Sequence, residues 1–289
     1  MAASYGSFAA WEMNDVRYDF QPSSMIGVKE QHLNTNGLRG TTFHSVERNL
    51  PSLNIVDGQI SLIPTPTEMT TILPIVLGTA VAGTTYALAE TVTGYTHVVD
   101  RVIKVHTYAN VKVDSARFHS EQGGAMGVDL NLVGTTETEG AAGSFTSTSI
   151  DVATKPWNFH MLTLSVDSTS VLAKAFEFSV ERNIDRDRFF NSQSLSTGTN
   201  AVDCHIPMRI MLPYGDYPAI YTSSLLNTGV QVVATYTNGV YILTHTFVKV
   251  AFRKMAPELN SRGEIMLPLV GEAFKSSTTL PLVTTLAIS

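Results

Sequence analysis

Apolar and polar residues alternate along most of the chain. Val128, Leu130 and Leu132 are separated by Asp129 and Asn131, and Phe176, Phe178 and Val180 by Glu177 and Ser179. Period two with β-branched and aromatic residues marks strands with one buried face. Ile206, Met208, Ile210 and Leu212 continue the pattern. The run from Val240 through Ile242, Thr244, Thr246, Val248 and Val250 to Phe252 predicts a strand long enough for a barrel or a tall sandwich. Asn238-Gly239 joins it to the run Val230 to Thr237, which predicts a hairpin with a type I′ turn.

Two short helices interrupt the strands. Thr65-Pro66-Thr67-Glu68 supplies an N-cap, a proline at the first helical position and a glutamate three residues after the cap, ahead of Met69, Ile72 and Leu73. Asp216-Tyr217-Pro218 opens a second segment to Leu226, with Asn227 and Gly229 available to end it. The fold class is therefore mainly β with short helices.

The chain also resembles itself. Val111-Lys112-Val113 precedes Leu132-Val133-Gly134 as Val248-Lys249-Val250 precedes Leu269-Val270-Gly271, an offset of 137 in the numbering. Such self-similarity predicts an internal duplication of one α+β unit. It divides the chain into an extended N-terminal arm (1–50), a first copy (51–134), a Gly/Ser/Thr-rich linker or loop (135–158), a second copy (159–275) and a C-terminal arm (276–289). The first arm reads as too polar and irregular to bury a core alone, and the tail as an edge strand for another subunit. A length of 289 residues fits two domains.

Composition narrows the functional classes. Only 15% of residues are charged and 44% are hydrophobic, which excludes a disordered chain. The net charge of -6 lacks the basic footprint of sequence-specific nucleic-acid binding. A single cysteine, Cys204, permits no internal disulfide and points to a reducing compartment. The N-terminal residues lack the basic and apolar regions of a secretory signal, and the most apolar stretch, Ile72 to Val81, is too short and broken to span a bilayer.

No catalytic, metal or cofactor constellation stands out. Nucleotide-binding glycine loops, GxSxG, HExxH and CxxC are absent from the sequence. Cys204 and His205 are adjacent, so on a strand they face opposite ways and do not share a metal. The densest polar cluster runs Glu181-Arg182-Asn183-Ile184-Asp185-Arg186-Asp187-Arg188. Three interleaved arginines would hold its carboxylates ionised, which argues against acid-base catalysis. Arg182, Asp185, Arg186, Asp187 and Arg188 are instead candidates for a subunit interface, where arginine forks give registered contacts. A solvated loop is the alternative.

These residues resemble the major tail tube proteins of long-tailed, siphovirus-like bacteriophages. The likeness is carried by Val180 to Ser192, by Met208-Arg-Ile-Met-Leu-Pro213 before a helix, by Tyr236-Thr-Asn-Gly-Val-Tyr-Ile-Leu243 and by Gly263 to Ala273. Ile60 to Glu68, Leu73 to Gly78 and Gly127 to Gly134 repeat the theme. The resemblance covers about residues 55–275. It implies two β-sandwich or barrel-like domains, each with a flanking helix, in a non-enzymatic virion protein without cofactors that is assembled in the host cytoplasm. It implies rings stacked into a hollow tube through which DNA passes without specific binding, with tail tip, terminator and tape-measure proteins as partners and no membrane. Rings of six such folds imply a trimer of this two-copy chain, or alternatively a hexamer. A receptor- or glycan-binding β-sandwich module is the competing class. A glycoside hydrolase using Glu181, Asp185 or Asp187 is a third.

Overall fold

The computed structural model describes residues 9–34, 49–78, 80–142, 145, 150–186, 201–214, 229–253, 256–257, 264–276 and 279–288. Every strand pairing among them is antiparallel, as alternation with one buried face requires.

The chain opens with β1 (Ala10–Met13) and β2 (Val16–Tyr18), followed by β3 (Met25–Asn34) and β4 (Asn49–Leu62). Helix α1 (Pro66–Val76) carries the expected capping box: Thr65 accepts from the Glu68 backbone, and the Glu68 carboxylate accepts from the Thr65 N–H. The small hairpin β5 (Ala80–Ala82) and β6 (Thr85–Ala87) leads to β7 (Tyr95–Asp100), β8 (Val105–Glu121), β9 (Gly127–Gly134) and β10 (Thr136–Gly140). The rest comprises β11 (Leu162–Val166), β12 (Thr169–Val171), β13 (Ala175–Glu181), β14 (Pro207–Pro213), β15 (Val230–Asn238), β16 (Tyr241–Arg253), β17 (Met266–Phe274) and β18 (Leu282–Ile288). The second expected helix, at Asp216 to Leu226, lies outside the described residues.

The ladders link eight strands edge to edge in the order β3-β4-β9-β8-β13-β14-β17-β16. Strand β8 is long enough to serve two layers. Its first half pairs with β7 and β10, and its second half with β9 and β13. Strand β16 does the same with β15 and β18, then β17. The inner face of the sheet buries Val56, Leu130, Ala116, Phe178, Ile210 and Leu269 in a core shared with α1, Trp11 and Tyr108.

Among the described residues, every strand pairing before residue 160 except β5·β6 has a counterpart after it. β1·β2, β1·β7, β3·β4, β4·β9, β7·β8, β8·β9 and β8·β10 answer to β11·β12, β11·β15, β13·β14, β14·β17, β15·β16, β16·β17 and β16·β18. The details repeat too. The β1–β2 turn holds Asn14 and Asp15 at φ 50 and 62, and the β11–β12 turn holds Asp167 and Ser168 at φ 50 and 63, the two left-handed residues of a type I′ turn. A bulge interrupts β7·β8 before His97 and β15·β16 before Val232.

The registers correct the offset read from the sequence. Val113 faces Leu132 and Phe252 faces Gly271, so both partners lie 139 positions further on, not 137. A slip of two residues keeps every side chain on its own face, so alternation alone does not detect it.

Three further expectations change. Residues 10–18 are not an extended arm: β1 pairs with β7, and Trp11, Met13 and Tyr18 are buried in the core. The C-terminal segment pairs with β16 and β6 of its own chain. Within the stretch expected as linker, Thr136–Gly140 forms β10 and Trp157 is fully buried. The Val230 to Phe252 hairpin forms with its turn moved by one residue. Asn238 pairs with Tyr241, leaving Gly239 and Val240 at the tip with only Gly239 at positive φ, the first-position glycine of a II′ turn.

Candidate functional site

The charged segment after β13 is the densest polar feature of the chain, and the structure places it at the seam between the two sets of strands. At that seam β13 lies beside the second half of β8, with Phe178 opposite Phe118 and Glu181 opposite Ser115. Phe118 and Phe178 stack at 4.8 Å, and Phe178 meets Phe247 edge-on at 4.9 Å, so the seam is held by aromatic packing as well as by the ladder.

Beyond the ladder, the chain is fastened by its charges. The Arg182 N–H donates to the Asp114 carbonyl at 2.7 Å, and the Asp114 carboxylate accepts the Ile184 N–H at 2.7 Å. The Arg182 side chain is buried and turns toward α1. Its Nη2 donates to the carbonyls of Val76 at 3.1 Å and Leu77 at 3.4 Å, and its Nη1 to that of Ala89. The Val76 and Leu77 carbonyls lie at the end of a helix whose last turn holds no basic residue of its own, and that of Leu77 also accepts the Ala89 N–H at 2.7 Å. Burial pushes the Arg182 pKa down, but the carbonyl dipoles and the negative helix end hold the cation. Arg186 bridges Asp57 of β4 at 3.2 Å and Asp114 of β8 at 2.6 Å. Asp185 is half-buried beside it. Asp187 and Arg188 lie outside the described residues.

Two of the five residues expected at a subunit interface, Arg182 and Arg186, thus join the two halves of one chain. Asp114, which organises this joint, was missed. Its signal is a break in alternation: buried positions run Val111, Val113, then Ala116 and Phe118, which is the mark of the bulge between Val113 and Ser115.

The outer face of the eight-stranded sheet is polar. Arg117 lies between Glu177 and Asp129, Lys29 reaches Asp57, and His119 stands 3.3 Å from Asp129, whose pKa is lowered chiefly by that hydrogen bond. Here, cations are engaged by carboxylates on neighbouring strands. His205 sits between Glu272 at 2.7 Å and Asp203 at 2.9 Å, and these acids raise its pKa.

The fully buried histidines are structural. Burial pushes both His97 and His245 down to about 3, so they are neutral. Trp11 Nε1 donates to His97 Nδ1 at 3.3 Å, and His245 Nδ1 pairs with the Thr284 hydroxyl at 2.9 Å. Among the described residues no group of three His, Cys, Asp or Glu is placed to hold a metal, and no helix is long and apolar enough to cross a membrane. Burial raises the Cys204 thiol.

The family model for phage tail tube proteins matches residues 52–273. No curated protein matches the chain.

Proposed function

The chain belongs to the phage tail tube protein family, a family of structural virion components, and from that premise we propose that three copies close into a ring whose stacked repeats form the conduit for DNA. The observation that carries this reading is the recurrence of the strand pairings and turns before and after residue 160. Two equivalent units per chain give a three-chain ring six-unit pseudo-symmetry. The duplication, the two-domain division and the trimer are parts of this one reading.

The eight-stranded sheet supplies the wall. Three such sheets joined edge to edge make about 24 strands, and at a spacing of ~4.8 Å and a tilt of ~40° the backbone cylinder is roughly 48 Å across. That leaves room for a DNA duplex after side chains are added. The polar face would line the bore, with Arg117 and Lys29 held by Glu177, Asp129 and Asp57. Engaged cations and a net charge of -6 leave little to grip phosphates, so the duplex slides. Arg182 and Arg186 then act within the subunit, fixing the angle between its two units and hence the curvature of the ring.

Negative-stain electron microscopy of the purified protein tests the proposal. Hollow rings or tubes are expected, and discrete solid particles at all concentrations would favour the receptor-binding class. Partners at the tail tip, terminator and tape measure follow from the same reading.

A further inference from the structure

We propose that Arg101 is a guard on the open edge of β3. In the free subunit it occupies a backbone carbonyl that a strand of a second copy of this chain would need, and the β7–β8 turn that carries it swings away before that strand is accepted. The inference rests on the ring reading above for the identity of the partner, and it adds the step that controls when subunits join.

The carbonyl in question is that of Ile26, and it faces outward. Ile26 faces Gly58, which faces Leu132; Phe178 faces Met208, which faces Gly271, the counterpart of Leu132. Ile26 of β3 therefore holds the place of Phe178 of β13. In β13, Glu181 exchanges both backbone hydrogen bonds with His205, and the Arg182 N–H meets the Asp114 carbonyl on the opposite side. Bonded positions alternate along an antiparallel strand, so Phe178, four residues before Arg182, turns its N–H and carbonyl toward β8. Among the described residues β3 pairs only with β4, and the Ile26 carbonyl turns to the side that β8 fills in β13. There it accepts from Arg101 Nη2 and lies 3.3 Å from the Tyr108 hydroxyl.

The guard has a built seat. Arg101 Nη2 also donates to the Tyr108 hydroxyl at 2.9 Å, Tyr108 donates to Glu137 of β10 at 2.9 Å, and His106 Nδ1 shares that carboxylate oxygen at 2.7 Å. After residue 160, where the edge is filled, the corresponding places are apolar. Phe247 faces Val232 beside the same bulge at which Tyr108 faces His97, and Leu282 faces Phe247 as Glu137 faces Tyr108. Phe178, Phe247 and Leu282 are all buried. The polar seat thus stands where the edge is open, and hydrocarbon replaces it where a strand covers the edge. The turn that aims Arg101 is strained. Val102 sits at φ 71, a left-handed conformation that β-branched residues rarely adopt, with its N–H held by Asp100 at 2.7 Å. Strain of this kind collects at switch segments. The guanidinium lies beside Gly27, where Nη2 would stand 4.0 Å from an added Cβ.

The test follows assembly of the full-length chain from dispersed subunits by light scattering and electron microscopy, with circular dichroism to verify folding. Arg101→Ala should assemble several-fold faster than wild type at the same concentration. Tyr108→Phe, which installs the residue type found at the corresponding Phe247, should shift the rate the same way by less. Lys104→Ala removes a charge from the same turn, where its partner is Glu139, and should leave the rate unchanged. Equal acceleration by Lys104→Ala would reduce the effect to net charge and overturn the inference, as would folded Arg101→Ala and Tyr108→Phe chains no faster than wild type. Independently, a Cys204→Ser, Gly27→Cys, Arg101→Cys chain joined within the subunit by a cleavable bis-thiosulfonate should stay dispersed until the link is reduced. A linked chain that assembles overturns the inference as well. Rings that form at one rate in every variant remove the guard and leave the ring reading standing. Faster association of Arg101→Ala into solid particles keeps the guard and removes the ring, and no association of wild type or Arg101→Ala removes both.

Discussion

Replacing Arg182 by methionine should weaken the subunit itself, before any question of assembly arises. The side chain is 3% exposed and supplies the only donors given to the Val76, Leu77 and Ala89 carbonyls by a basic side chain among the described residues. Val76 and Leu77 share one nitrogen, so two charge-assisted bonds are lost, at about 1.5–3 kcal/mol each. Recovered desolvation of the guanidinium and retained aliphatic packing offset part of this, leaving about 3 kcal/mol. Urea unfolding followed by the fluorescence of Trp11 and Trp157, both fully buried, measures it. With a slope of about 3 kcal/mol/M for a chain of this size, the midpoint should fall by about 1 M. Arg182→Lys, which keeps the charge but not the fork, should fall in between. A midpoint within about 0.2 M of wild type, estimated on the same slope, would refute the role of Arg182 as the fastening of α1 to the seam.

Three other outcomes follow from the packing. Because His97 and His245 are held near 3 against about 6.5 when unfolded, the unfolded chain binds more protons below pH 6.5; their contribution is complete above that pH and is lost as pH falls toward 3, at about 2 kcal/mol each between pH 7 and 5. A thermal midpoint flat across pH 7 to 5 would contradict neutral burial. Gly58→Ala would bring a Cβ within 2.5 Å of the Met25 carbonyl, a backbone contact, so β3 must move from β4; the expected loss is at least about 2 kcal/mol, read by the same urea titration. Deleting residues 1–18 removes Trp11, Met13 and Tyr18 from the core and should yield poorly folded protein by near-ultraviolet dichroism, where a dispensable arm would leave the spectrum intact.

Strands with one face in the core were legible, because burial imposes alternation directly: β9, β13, β14 and β16 stand where Val128, Phe176, Met208 and Ile242 place them. The α1 start was legible because its cap is a local chemical device. β1 and β2 were not, since each spans too few residues for a period to register and Glu12 and Arg17 interrupt the apolar positions. The self-similarity of the sequence gives an offset of 137 where the ladders of β8·β9 and β16·β17 align at 139, because a period-two pattern is unchanged by a slip of two. The charge cluster was found and its partners were not. Sequence shows that Arg182 and Arg186 need carboxylates or carbonyls, and only the tertiary path shows that Asp57, Asp114 and the end of α1 supply them from the same chain.

The number of chains in one ring tests the central claim most directly. Native mass spectrometry of isolated rings, with rotational averaging of end-on views, should give three chains of 31.4 kDa, near 94 kDa, with threefold symmetry that approaches sixfold at low resolution. A ring of six chains, near 188 kDa with true sixfold symmetry, would contradict the account, because each chain would then contribute one unit to the wall instead of two.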